Sequence, residues 1–219
     1  MAEDLFVHGL QNIGYLLNVI VIPLATIIVG RKLLKEKKAT GKLNDIRAII
    51  FFIFFSFSNL VILEFLIGTQ FYDVATRAFL SGLFGGSVNE FNLYSLVIGI
   101  IASLGLMMVA VANRWDFLQY SSLFFFGGMI LLYVFTGFGG LLESYIYFAG
   151  AASIFFLYLT AFRVKDNGAL ALAIFFTIAF GTVIFDVALI TGFGVILYNI
   201  VILIFSFGWF KPFKQEVVA

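Results

Sequence analysis

Seven uninterrupted apolar runs, each long enough to cross a bilayer as a helix, constrain this chain more than any other feature. A hydrocarbon core about 30 Å thick needs roughly 20 apolar residues in an α-helix. The runs cover residues 11–29, 48–67, 93–112, 117–135, 141–162, 169–190 and 192–210. They are continuous, where the strands of a membrane β-barrel alternate apolar and polar residues. Only 11% of residues are charged and 30 of the 219 are phenylalanine. A water-soluble domain carries roughly 25% charged residues. The expected fold is all-α: one integral membrane domain over residues 1–219, a bundle of seven transmembrane helices.

Charge on the connectors orients the bundle. The stretch "GRKLLKEKKATGKLNDIR" (residues 30–47) alone holds seven of the thirteen basic residues. With "NRWD", "RVKDNG" and the tail "KPFKQEVVA", it forms a set carrying twelve of the thirteen. The opposite set comprises the N-terminus, residues 68–92, "TGFGG" and "ITGFG"; it carries only Arg77. Short basic loops stay in the cytoplasm. The N-terminus is therefore expected outside and the C-terminus in the cytoplasm, in a multi-pass protein of the cell membrane. "RKLLKEKK" favours helix, so the first helix is expected to run on past the bilayer until Gly41 offers a stop. Pro23 removes one backbone hydrogen bond inside that helix and predicts a bend.

Polar residues inside the apolar runs are costly in lipid and mark candidate sites. Glu64 and Asp186 lie near the outer ends of the second and sixth runs. Asn18, Asn59 and Asn199 fall about 10–12 Å in from the same side, at about 1.5 Å per residue. These five predict an outward-facing polar pocket for a small ligand or a cation. The carboxylates would supply charge; the amides would orient a ligand or hydrate an ion. Toward the cytoplasm the polar groups become milder, as at Ser153, Thr160 and Thr177. The outer connector, residues 68–92, is the one long loop, with an apolar middle that suits a short surface helix. "TGFGG" at 136–140 and "TGFG" at 191–194 both read as tight outer turns.

Other chemistry lacks its residues. There is no cysteine and one histidine, His8. One imidazole supplies neither paired haem ligands nor a histidine-rich metal site. No nucleophile–base pair is credible, so the sequence points away from an enzyme, and it specifies no cofactor. A net charge of +1 gives no reason to expect a nucleic-acid partner. The helix count and direction are similar to those of microbial rhodopsins, but the seventh run lacks a lysine before Lys211, so retinal has no attachment point. Small sugar transporters of similar size need prolines in both halves, and Pro23 has no counterpart. Trimeric intracellular cation channels share the topology but carry a glycine–arginine–aspartate signature missing here.

The functional expectation is sensing or transport of a small ligand or cation at Glu64, Asp186, Asn18, Asn59 and Asn199. The alternative is a structural or accessory subunit of a larger membrane complex. Membrane lipids are the expected neighbours of such a chain; like copies or other membrane subunits are further candidate partners.

Overall fold

The computed structural model describes residues 2–68, 93–137, 139–185 and 187–213. Among these the fold is all-α, with seven α-helices. They are α1 (Ala2–Thr40), α2 (Asp45–Gly68), α3 (Leu93–Asn113), α4 (Ser121–Thr136), α5 (Gly140–Val164), α6 (Asn167–Phe185) and α7 (Ala188–Phe207). A 3-10 turn, Asp116–Tyr120, leads into α4. Six helices are long and apolar enough to span a membrane. The seventh is α6, whose described apolar stretch, Asn167–Thr182, is shorter. The outer connector expected at 68–92 falls, from residue 69 onward, outside the described residues.

Local chemistry explains the helix ends. α1 continues through Pro23 and the basic segment to Thr40, as the sequence leads one to expect. It stops where Gly41 adopts φ +72°, a conformation that costs glycine little, and the Gly41 N–H closes on the Lys37 carbonyl. Asn44 then caps α2: its Oδ1 accepts from the Arg47 N–H at 3.1 Å. Asp166 caps α6 in the same way, accepting from the Gly168 and Ala169 amides.

One expected turn is instead helix. Residues 190–194 do not form an outer connector; they lie inside α7, which begins at Ala188. The glycines there serve close packing: a side chain at Gly192 would strike Leu10 of α1, and one at Gly194 would strike Thr182 of α6. "TGFGG" at 136–140 does include a turn, with Gly137 at φ +68°. The two similar strings thus do different work.

The helices pack in the order α1–α2–α3–α5–α6–α7, and α7 closes back on α1. α4 stands outside this ring and leans on α3 and α5. Neighbouring contacts fix relative directions. Leu10, Gly14 and Asn18 of α1 meet Gly192, Val195 and Asn199 of α7 in the same order, so these two helices run parallel. Gly105 and Asn113 of α3 meet Ser153 and Thr160 of α5 likewise. α1 and α2 are antiparallel, since Thr26 bonds Phe54 and Glu36 pairs with Arg47.

Aromatic side chains plug the middle of the ring. Phe175 of α6 is fully buried and packs edge-on against Phe54 and Phe57 of α2 and Tyr198 of α7, at 6.4, 5.5 and 5.4 Å between centroids. Each of Phe54, Phe175 and Tyr198 lies near the middle of its helix.

Candidate functional site

The five sequence candidates have different surroundings. Asn18 and Asn199 meet in the α1–α7 seam, where Asn199 Nδ2 donates to Asn18 Oδ1 at 2.6 Å. The same Nδ2 donates to the Val195 carbonyl at 2.8 Å. Asn199 is 1% exposed and Asn18 5%, and among the described residues the Asn199 Oδ1 has no donor. Asn59 lies on the exposed face of α2, where its Nδ2 bonds back to the Phe55 carbonyl at 2.7 Å. Glu64 belongs to α2, but its side chain lies outside the described set. α6 ends at Phe185, and Asp186 lies outside the described residues.

Physical cost sets the amide pair apart. An interhelical hydrogen bond in a membrane contributes about 0.6 kcal/mol on average and about 1.7 at most. A buried acceptor left without a donor costs about 1–3 kcal/mol. The Asn199 amide therefore does not earn its place through packing alone. Its position sharpens the point: eleven residues follow Ala188 to reach it and eight remain to Phe207, near the middle of the helix.

Further polar groups lie on α1 and on its neighbours α2 and α7 toward the basic end. Thr26 is buried, and its hydroxyl lies 2.9 Å from the Ile22 carbonyl and 3.0 Å from that of Phe54. Pro23, lacking an N–H, leaves the Val19 carbonyl without its helical donor. Ser58 of α2 is buried as well. At the basic end Lys32 Nζ donates to the Ser206 carbonyl at 2.6 Å, while the buried Ser206 Oγ has no partner among the described residues. Lys32 counts in the sequence only as connector charge, and Thr26 and Ser206 escape a reading that looks only for strongly polar residues. Their signal is spacing: Asn199 and Ser206 lie seven residues apart, on one helical face.

A second polar contact joins α3 to α5. Asn113 Nδ2 donates to Thr160 Oγ1 at 2.7 Å, and the Asn113 Oδ1 is again buried with no donor among the described residues. Beside it, Arg163 lies over the Trp115 ring, 5.2 Å from its centroid.

Between α4 and α5 runs an open apolar groove of about 630 Å³, lined by residues including Gly128, Leu131, Phe135, Tyr145 and Phe148. It contains none of the five candidates. Among the described residues no three His, Asp or Glu side chains gather to hold a metal ion. No known protein family matches this chain, and no curated protein or solved structure was found to be similar to it.

Proposed function

We propose that this chain is a seven-span membrane protein that binds a small polar ligand or a cation in its non-basic half, for sensing or transport. The observation that carries this reading is the buried Asn18–Asn199 pair with its undonated oxygen. A polar group kept at that cost inside a membrane seam marks a working position. Asn18 and Asn199 orient the ligand or replace part of an ion's water. Glu64 and Asp186 supply the negative charge. Asn59, exposed on α2, is the member of the five with least support. The N-terminus lies outside and the C-terminus in the cytoplasm; the parallel course of α1 and α7 supports an odd number of crossings.

Sensing is the leading branch. The aromatic plug of Phe54, Phe57, Phe175 and Tyr198 opposes a path through the ring centre. Movement of α1 against α7 along their polar seam is the response available to a bound ligand. In the decisive experiment Glu64→Gln and Asp186→Asn are combined in one chain, and ligand binding and liposome flux are measured. Loss of binding is expected; unchanged binding together with unchanged flux defeats the proposal.

One observation favours the accessory-subunit reading. α4 shows most of its surface: Phe124 is 77% and Phe135 81% exposed, and Gly127 faces open space. Co-purification with other membrane subunits at fixed stoichiometry supports that reading, whereas ligand response by the isolated chain excludes it.

A further inference from the structure

The outward face of α1 changes character abruptly along one line. Ile20, Leu24 and Ile27 are exposed, at spacings of four and three residues. The same spacing then brings Arg31, Lys35 and Lys38, all exposed. At 3.6 residues per turn these six side chains form one stripe, apolar and then cationic. From Ile20 to Arg31 is about 17 Å at about 1.5 Å per residue, roughly half of a 30 Å hydrocarbon core.

The level of the change is fixed independently. Lys32 reaches the Ser206 carbonyl at the end of α7, so Arg31 stands where that helix stops. Trp209, 75% exposed and stacked on Phe207, lies at the same end. Tryptophan favours the membrane interface. Neighbouring charge is already engaged: Arg47 is paired with Glu36 at 2.7 Å, and Lys32 is bonded to Ser206. Among the described residues Arg31, Lys35 and Lys38 have no such partner.

We infer that this stripe is a binding site for one anionic phospholipid of the leaflet at the basic end. Its phosphate sits among Arg31, Lys35 and Lys38, and an acyl chain lies along Ile20, Leu24 and Ile27. An acidic soluble protein would satisfy the cations but has no use for an apolar track entering the bilayer. The inference is independent of the ligand reading above, because it uses none of those five residues.

Native mass spectrometry of the full chain, from micelles holding equal phosphatidylglycerol and phosphatidylcholine, tests it. The wild-type chain should retain phosphatidylglycerol selectively. Each cation near an anionic surface contributes about fivefold, so R31Q/K35Q/K38Q should lose about 100-fold. The control R114Q/R163Q/K165Q removes equal charge at the ends of α3 and α5, across the ring from α1, and should stay within about threefold of wild type. R31K/K35R/K38R should retain the lipid, and R31Q alone should lose about fivefold, both independent of any folding defect in the triple variant. Equal losses in the two Gln triples overturn the inference, since bulk charge then suffices. So does full competition by glycerophosphoglycerol, which has the headgroup and no tails.

Discussion

Two seams of this bundle are built alike and stand at different depths. Each joins a parallel helix pair, α1 with α7 and α3 with α5. Each has a glycine against the partner, Gly14 facing Val195 and Gly105 facing Ser153. Each has an asparagine that donates across the seam and keeps a buried oxygen with no donor among the described residues. Asn113, however, is the last residue of α3, close to basic groups and water, whereas Asn199 lies mid-helix. The cost of a polar group grows with depth in the bilayer. The same amide is therefore an ordinary helix-end contact in one seam and an anomaly in the other. Similar chemistry at unequal cost is what separates a candidate site from architecture here.

The largest test removes what holds the α1–α7 side together. Phe175 fills the ring centre, touching α2 and α7 at once. Phe175→Ala leaves a cavity, and such changes cost about 3–5 kcal/mol in water-soluble cores. Lipid is itself apolar, so the transfer part shrinks and the lower end of that range is expected. Unfolding in mixed micelles measures it. A cost below about 1 kcal/mol would mean that the aromatic plug is not the centre of the fold.

The glycines come next and compare the seams directly. A Cβ at Gly105 would overlap Ser153 Oγ, so Gly105→Ala should cost about 1–3 kcal/mol. At Gly14 the nearest atoms are Val195 Cγ1 at 3.0 Å and Cβ at 3.2 Å, an overlap that a shift of a few tenths of an ångström relieves. Alanine also gains about 1 kcal/mol of helix propensity over glycine, which offsets the milder contact at Gly14. Equal costs in the two seams would break the distinction.

The amides sharpen it. Replacing both Asn18 and Asn199 by Leu removes the hydrogen bond and the undonated oxygen together. Such paired replacement is neutral or stabilising, here by up to about 1–2 kcal/mol, while ligand response should vanish. Asn113→Leu leaves Thr160 without its donor and should cost about 1 kcal/mol, with the response kept. Thermal melts paired with ligand binding read both. A double Leu variant that is less stable and fully responsive would make the mid-membrane pair structural.

How much of this was legible beforehand follows from what hydropathy encodes. Long apolar runs announce helices, and "RKLLKEKK" before Gly41 announces the extension of α1. Facing direction is not encoded, because lipid and protein interior are equally apolar to a side chain. Asn59 and Asn199 both sit in apolar surroundings in sequence, yet one is exposed and the other buried. For the same reason nothing in "SSLFFFGGMILLYVFT" tells that α4 stands outside the ring. The string "ITGFG" looks like a turn because glycine serves turns and tight helix contacts equally, and only the neighbouring Leu10 and Thr182 decide between them.

The smallest effects lie at the basic ends of the two seams, where each is closed by one cation. Lys32 bonds the Ser206 carbonyl near the negative end of the α7 dipole, and Lys32→Met should cost about 0.3–1 kcal/mol. Arg163 lies over Trp115, and Arg163→Gln should cost about 0.5–1 kcal/mol. Salt separates the two mechanisms. Lys32, itself exposed, acts as a charge on the carbonyls at the end of α7, so its contribution should fall in 1 M salt, where the screening length is about 3 Å. Arg163 also covers the indole with its guanidinium plane, so part of its contribution should survive. If both fall together, the two seams end in the same kind of contact, and depth alone distinguishes them.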